Sequence, residues 1–505
     1  MNRPLKFGES LWALVSMALL TTQCGGGSGS RGGPTLSTPC VLAGHQYAFL
    51  VTGAGNTNVE ATGVMVGGIT VAADGSLEGE FDINGGGQNS QPISSGQCSD
   101  GTTQNTGTLT LVTPGITRIF NFAMRGSDLL AGDLTEANAA ALGAPLAGAI
   151  EQQTPEAPFT GNYAFGLVGQ SLGPRVAAIG SFCSDANFSL TFLQADTDVS
   201  DTLAPALTGT GAYSPPDSRG RSSTGAGGWS LSNGSSLDVT FYVVNSSKAF
   251  AIVFGGRTAS GATLPAMAGE ITGQAGSACP QLTGSFNNSS LANSVFSAKG
   301  LVSGTVGAEV GMMNHVNPTS GALTVTSDAN RNGTPHFSSD TGATYLVSQT
   351  GRATLTSTNT DGQRTQSILY LDGIGNAYLI LGQPGTFFGI ATPQGTTAAP
   401  MTGTYSSGEE FIPPVTTVSG LPNGGILPAT EVSLNATAQT LTDLSAGGSS
   451  DTYTLGTSFP GRGTATLSNS NTFGDTSIVF YVVSGNQLVT MGLTSATPSI
   501  VELRR

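Results

Sequence analysis

Charge is scarce in this chain. Of its 505 residues 17 are Lys or Arg and 31 are Asp or Glu, for a formal net charge of −14. No Lys/Arg cluster occurs, which excludes nucleic acid as a partner, because displacing phosphate counterions requires a basic patch. With so few Lys and Glu the chain is also short of residues that build exposed helix faces. Histidine is limited to His45, His315 and His336, none near a cysteine in sequence, and Cys-x-x-Cys is absent, so no zinc-site spacing exists. Tryptophan occurs only as Trp12 and Trp229, whereas a sugar-stacking platform presents several exposed aromatics. No apolar run is long enough to cross a bilayer as a helix.

The chain is rich instead in Gly (73 residues), Ser, Thr and Val, the composition of short strands joined by tight turns. Hydrophobic residues reach 38% and recur in strand-like runs, which excludes a disordered polypeptide. The length exceeds what one core supports and suggests three or four domains.

Residues 1–23 have the layout of an export signal. Arg3 and Lys6 precede the ten-residue apolar run Leu11–Leu20, then come Thr21-Thr22-Gln23 and Cys24. This resembles a bacterial lipoprotein leader, in which the cysteine after the cleavage site is lipidated, although Leu20 stands four residues before it and Gln23 directly before it. The resemblance implies lipidation of Cys24. The Gly/Ser-rich segment 24–39 is a flexible coil of the kind that holds a domain off a membrane. Setting Cys24 aside leaves Cys40, Cys98, Cys183 and Cys279, an even set in an exported chain. Nearest-neighbour pairing gives Cys40–Cys98 and Cys183–Cys279, one of three possible arrangements, each bridge contributing roughly 2–5 kcal/mol.

One hairpin recurs four times. It is clearest at Ser477–Val489 (Ser-Ile-Val-Phe-Tyr-Val-Val-Ser-Gly-Asn-Gln-Leu-Val), with earlier copies beginning at Arg118, Asp238 and Gln366, aligned on Phe122, Tyr242, Tyr370 and Tyr481. A "Thr-Gly-x-Tyr/Phe" signature opens the later units at Gly161, Gly284 and Gly403, with a looser version at Gly44, so the glycines stand 117, 123 and 119 residues apart. Each unit closes alike, at Gly148-Ala149-Ile150-Glu151, Gly269-Glu270-Ile271-Thr272, Gly389-Ile390-Ala391-Thr392 and Ser499-Ile500-Val501-Glu502. A repeat this long is a whole domain in tandem. The boundaries are 40–153, 158–276, 279–394 and 400–505.

About eight strands per unit, joined by short turns such as Asp74-Gly75, read as an antiparallel meander. The expected fold is therefore all-β: four tandem domains of about 110–120 residues, each a small up-and-down β-barrel, with β-sandwiches as the alternative. Only Thr135–Leu142 has a helical pattern. From Cys24 to Arg505 the chain resembles a class of uncharacterised Gram-negative envelope lipoproteins, with a Cys-Gly-Gly-Gly-Ser tether followed by tandem all-β units. That resemblance implies an envelope address and no particular activity.

Candidate sites are few. Gly169-Gln170-Ser171-Leu172-Gly173 matches the G-x-S-x-G nucleophile elbow, but Pro174 follows and no helix opens, so a hairpin loop is expected. Asp328, Asn330 and Asn332 match the first half of a Ca²⁺ loop and form a weak cation candidate; Ser339 stands where the bidentate Glu is needed, and a turn is the simpler reading. Arg221, Arg352 and Arg462 recur after a glycine at one position of three units, where an Arg pairs with an acid or stacks on a neighbouring Tyr. Glu409-Glu410 is an acid pair in one unit only, without the separation that paired catalytic carboxylates need. No cofactor is expected. The reading is a lipid-anchored protein of the cell envelope, at the outer membrane and facing the periplasm or the surface. It would have a structural or binding role, an unknown envelope or extracellular partner and no catalysis. Small-ligand binding inside the barrels is the alternative, and a hydrolase the more distant one.

Overall fold

Strands make up nearly every regular segment of the computed structural model. It describes residues 40–505 except 55–61, 85–89, 114, 127, 139–144, 155–158, 171–174, 226–227, 275–285, 303–304, 360–361, 383–384, 410–426, 445–447 and 449. Cys24 and its tether lie outside the described residues. Among the described residues no helix is long and apolar enough to cross a membrane.

Four antiparallel meanders follow one another. They run from His45–Ala54 to Leu146–Gln152, from Gly161–Gln170 to Met267–Gly273, from Ser294–Val302 to Phe387–Pro393, and from Gly403–Glu409 to Ile500–Arg504. In each the last strand returns to the first: Phe49 pairs with Ile150, Phe165 with Ile271, Ser297 with Ile390 and Gly408 with Glu502. The second, third and fourth sheets close into barrels. The first is a nine-stranded sheet whose ends meet through one bridge, Ser76–Gln97. The units are barrels and not sandwiches because strands pair in chain order, apart from the short strands Arg221–Ser223 and Trp229–Leu231 of the second unit, and the last strand of each returns to the first. Cys40 and Cys98 are joined, with Cα atoms 5.7 Å apart, beside the nearly closed edge of the first barrel. Cys183 is also disulfide-bonded; Cys279 lies outside the described residues.

Each interior is filled by an apolar cluster. In the second barrel Trp229 sits among Phe165, Phe182 and Phe192 with ring centroids 5.1–5.6 Å apart. Trp229 is therefore core, and no sugar platform. The signature tyrosines pin the repeated hairpin of their own barrel: Tyr163 donates to Ser246 O (2.8 Å) and Tyr405 to Gly485 O (2.6 Å).

The outer faces explain why so many strands are apolar on both sides. An isolated barrel would alternate apolar and polar residues. Here Gly161–Gln170 and Arg175–Ser184 are buried along almost their whole length. The first hairpin of each barrel packs on the repeated hairpin of the next. Leu50, Val64 and Val66 meet Tyr242, Phe250 and Ile252. Ala164, Ala177 and Ile179 meet Ile368, Tyr370 and Ile380, and Ala308, Val310 and Met312 meet Val479, Tyr481 and Met491. The fourth barrel reaches the first through the corresponding elements, strand Gly403–Glu409 lying on Ile116–Met124 and Ala131–Glu136. Thr135 Oγ1 donates to Leu427 O (3.0 Å) and accepts from Ala429 N (2.8 Å). The four barrels thus form a closed ring.

Two details of the sequence reading change. Thr135 and Glu136 end a strand rather than begin a helix, and residues 139–144 of that segment lie outside the described residues. The first hairpin copy is one residue out of register. Gly107 faces Phe122 as Gly463 faces Phe480, and a Cβ at either glycine would stand 2.5 or 2.2 Å from the opposing interior ring. Phe122 therefore corresponds to Phe480, and the counterpart of Tyr242, Tyr370 and Tyr481 is Ala123.

Three of the ring's joints share one polar clamp. A buried aspartate on the third strand of one barrel receives an arginine and a tyrosine from the next barrel. Arg221 Nε and Nη2 bond Asp82 at 2.7 and 2.9 Å and Tyr242 donates at 2.8 Å. Arg352 bonds Asp196 at 2.8 and 2.8 Å with Tyr370 at 2.5 Å. Arg462 bonds Asp328 at 2.7 and 2.7 Å with Tyr481 at 2.7 Å. The bidentate fork suits guanidinium and carboxylate planes. The three phenols are held well above their ordinary pKa, first by burial and then by the aspartate charge.

A linker glutamine completes each clamp. Gln153 donates to Arg219 O and Val243 O, Gln274 to Thr350 O and Leu371 O, and Gln394 to Val482 O. Each approaches a glycine at positive φ, Gly220 (77°), Gly351 (80°) or Gly461 (91°), where a Cβ would lie 2.8–3.0 Å from the amide nitrogen.

Removing one clamp partner leaves its buried partner charge uncompensated. Arg352→Ala is expected to cost about 3–5 kcal/mol, measured as an earlier urea transition in which the second and third barrels part. A second prediction concerns Asp198, whose carboxyl is pushed up to about 6, first by burial and then by Asp201. Its folded pKa lies above its unfolded value, so its stabilising contribution is present below about pH 4 and lost as pH rises through about 6. Asp198→Asn is expected to raise stability at pH 7.5 by up to about 3 kcal/mol, and the gain should vanish near pH 4 in parallel urea titrations.

Candidate functional site

The ring brings the turns of the repeated hairpins together on its axis. Arg125 in the first copy, Asn245 to Lys248 in the second, Asp372 to Asn376 in the third and Gln487 in the fourth line one cleft of about 540 Å³. The closing strands supply most of the remaining wall, through Glu151, Glu270, Thr392 and Glu502. Both recurrent features of the sequence therefore face the same space, each unit contributing different side chains. A cleft of this volume lies within the range of small-ligand sites.

Eight charged residues line it: Asp133, Glu151, Glu270, Asp372 and Glu502 against Arg125, Lys248 and Arg504. Their pairing crosses barrel boundaries. Lys248 Nζ, from the second barrel, lies 2.7 Å from Glu151 Oε1 of the first and 3.2 Å from Glu270 Oε1 of its own. Burial works against the ammonium charge, but the two carboxylates outweigh it and hold Lys248 above its ordinary pKa. Burial pushes Glu270 up in the same pair, against the pull of Lys248. Arg125 Nη2 lies 2.5 Å from Asp133 Oδ1. Desolvation opposes its charge, and Asp133 followed by Glu502 of the fourth barrel keep it protonated. Arg504 Nε lies 2.5 Å from Glu502 Oε1, to which Gln487 also donates. Burial acts against the Glu502 carboxylate, yet Arg504 and Arg125 hold it below its usual range.

In the third barrel Asp372 shapes its own turn, accepting from Ile374 N (2.9 Å), Asn376 N (2.8 Å) and Asn376 Nδ2 (2.9 Å). Burial raises its pKa. Tyr378 places an apolar ring on the wall, its phenol 3.3 Å from Thr272 Oγ1 of the second barrel. The cleft thus offers alternating carboxylates and cations on walls held by the barrel cores, suited to grasping a polar molecule. Among the described residues no group of three or more His, Cys, Asp or Glu has the geometry to hold a metal ion.

The residues singled out from the sequence lie elsewhere. Asp328 and Asn330 belong to strand Ala322–Arg331, and Asn332 begins the turn after it. Asp328 is committed to the Arg462–Tyr481 clamp; Asn330 Nδ2 donates to Gly492 O and Ser495 O of the fourth barrel and its Oδ1 accepts from Gly333 N. Through Asp328 and Asn330 this run fastens two barrels together.

Gln170 pairs with Arg175 across two antiparallel strands, so the segment carrying Ser171 joins a hairpin and not a strand to a helix; Ser171 itself lies outside the described residues. His315 stacks on Tyr345 at 5.0 Å, and burial lowers its pKa. His336 sits in strand Thr334–Val347. The side chains of Glu409 and Glu410 lie outside the described residues. Of the recurrent arginines, all three form clamps and none lines the cleft. The cleft residues carried one sequence signal, a charged or polar side chain in the closing strands that are otherwise apolar, as at Glu151, Glu270 and Glu502.

No family model and no curated protein matches the chain. Among solved structures it is similar to a crystal structure of a single mutant of the vaccine antigen transferrin binding protein B from Haemophilus parasuis, at 8% identity and a TM-score of 0.17, covering 95% of this chain and 98% of that one. A double mutant of the same antigen gives 9% identity and a TM-score of 0.18, covering 94% and 97%. Intact Ap-TbpB, with N and C lobes, gives 10% and 0.17, covering 95% and 97%. At TM-scores this low nothing is transferred from those proteins to this chain.

The ion pairs of the cleft make a direct prediction. Glu151→Gln is expected to lower the Lys248 pKa, Glu270→Gln to lower it less, and the double substitution to take it below the ordinary lysine value by desolvation. NMR titration of the Lys248 side chain reads all three.

Proposed function

We propose that this protein is an exported, lipid-anchored, non-catalytic binding protein that holds a polar ligand in the cleft on the ring axis. The supporting observation is the convergence of four hairpin turns of unlike sequence on one cavity. A spacer built from repeats needs no such meeting point. The barrel interiors do not support the alternative of a ligand held within a barrel: each is filled by its own apolar cluster, and a cavity inside the third measures about 20 Å³, room for a single water.

In this reading Cys24 carries the lipid, residues 24–39 are the tether, and the ring stands at the outer membrane facing an envelope or extracellular partner. The lipoprotein leader and the Gly/Ser-rich segment support that address. Metabolic palmitate labelling is expected to mark the wild type and not Cys24→Ala; equal labelling refutes the anchor.

Binding is tested by ligand-observed NMR with a panel of amino acids, short peptides, sugars and polyamines. At least one member is expected to bind the wild type and to lose its signal with Lys248→Met/Glu502→Gln, while keeping it with Met313→Leu inside the third barrel. A panel with no binder, or a binder indifferent to the cleft substitutions, counts against the reading.

A further inference from the structure

Three joints of the ring carry the Asp–Arg–Tyr–Gln clamp, and among the described residues the joint between the fourth and first barrels carries none of it. The acid of the fourth barrel's third strand is turned away from the joint. Asp82, Asp196 and Asp328 lie opposite Val66, Ile179 and Val310 of the outer faces, whereas Asp443 lies opposite Val432 of the fourth barrel's own core. Its carboxylate instead accepts from the Thr472 hydroxyl of its own barrel. On the facing barrel Thr106 and Ala123 occupy the register positions of the clamp arginine and tyrosine. Asn105, at φ 64°, stands where the clamps have glycine.

Packing differs in the same sense. Apolar clusters bridge the first and second barrels, the second and third, and the third and fourth, whereas among the described residues none bridges the fourth and first. The contacts that replace them are polar. They are the two hydrogen bonds of Thr135, the Thr103–Glu431 side-chain bond, and the approach of Gly408 to Asp133, where a Cβ would lie 2.4 Å from the carboxyl carbon. Such contacts exchange readily for water, whereas the buried clamps and apolar faces do not. No linker spans this joint either, since the two barrels are the most distant in sequence.

We propose that this joint is the gate of the ring: it parts and re-forms while the three clamped joints hold. Parting separates Arg125 and Asp133 from Glu502 and Arg504, and so dismantles one wall of the central cleft. The inference rests on the three-to-one asymmetry of the joints and holds whether or not the cleft takes a ligand.

Pulsed electron–electron resonance on the full chain, with Cys24→Ser to avoid a third label, tests it. Nitroxides at Thr117→Cys and Thr437→Cys report the open joint, and nitroxides at Asn187→Cys and Gln349→Cys report the clamped joint between the second and third barrels. The first pair is expected to show a distance distribution at least twofold wider, or a second and longer component, and the second pair a single narrow one. Adding Arg352→Ala is expected to broaden the second pair toward the first. Equal narrow distributions at both joints overturn the proposal, and so does a clamped joint that stays narrow without its arginine, because the clamp then does not distinguish the joints.

Discussion

The ring depends on a carboxylate that has no water. Asp82 and Asp196 have side chains fully shielded from solvent, and Asp328 nearly so, each at the margin of a face otherwise made of Val, Ile, Ala and Met. A charge in that position is untenable alone and becomes acceptable only with a bidentate partner and a further donor. The partners arrive from the next barrel. The apolar faces supply most of the attraction between neighbours, but apolar surface is non-directional and tolerates sliding. The guanidinium fork and the phenol do not, so the clamp fixes rotation and offset at each joint. The linker glutamine, seated against a glycine that alone can hold the required φ, fixes the chain's path from one barrel to the next.

Identical joints repeated three times generate a rotation, and four barrels come close enough to meet. That geometry decides where function can lie. The hairpin whose outer face makes the joint also carries its turn to the axis, so the element that builds the ring also lines its centre. A binding site on the axis needs one contribution from each unit, with no copy of the site inside any unit. Divergent turns are what such a site requires, because a ligand without fourfold symmetry presents a different surface to each barrel.

Much of the architecture was legible in the chain. The hairpin, its Gly-Arg partner strand and the opening tyrosine are local patterns, and their spacing defined four units of barrel length. Two things were not legible. The faces of Gly161–Gln170 and Arg175–Ser184 are apolar on both sides, which sequence alone reads as deep core and not as a surface shared by two barrels. The register of the first hairpin was hidden for a related reason: Phe122 is aromatic like Tyr242, Tyr370 and Tyr481, but it points inward, and facing is a property of the folded sheet. The Asp-x-Asn-x-Asn run beginning at Asp328 matches a cation loop in composition, and in the fold it is the end of a strand with outward polar residues at alternate positions. Pairing with Arg462, 134 residues away, could be seen only in three dimensions.

The candidate site was hidden by the same logic taken further. Searching for residues shared by all four units finds what each barrel needs for itself and for its joint, namely the tyrosines, the Gly-Arg step and the apolar strands. It discards Lys248, Glu151, Arg125 and Glu502, because none occurs in all four units. Yet these are charged groups half-buried in strand and turn positions, where desolvation costs stability unless partners are found: Lys248 is shared with Glu151 of the first barrel, and Arg125, paired with Asp133 of its own barrel, is further stabilised by the charge of Glu502 of the fourth. Their charge balance is therefore a property of the assembled ring. It also differs around the axis, since Lys248 is shared across a clamped joint and Arg125 faces Glu502 across the unclamped one. Any movement at that joint falls on the Arg125–Glu502 side of the cleft first, while the Lys248 cluster stays held by the Asp82 clamp beneath it.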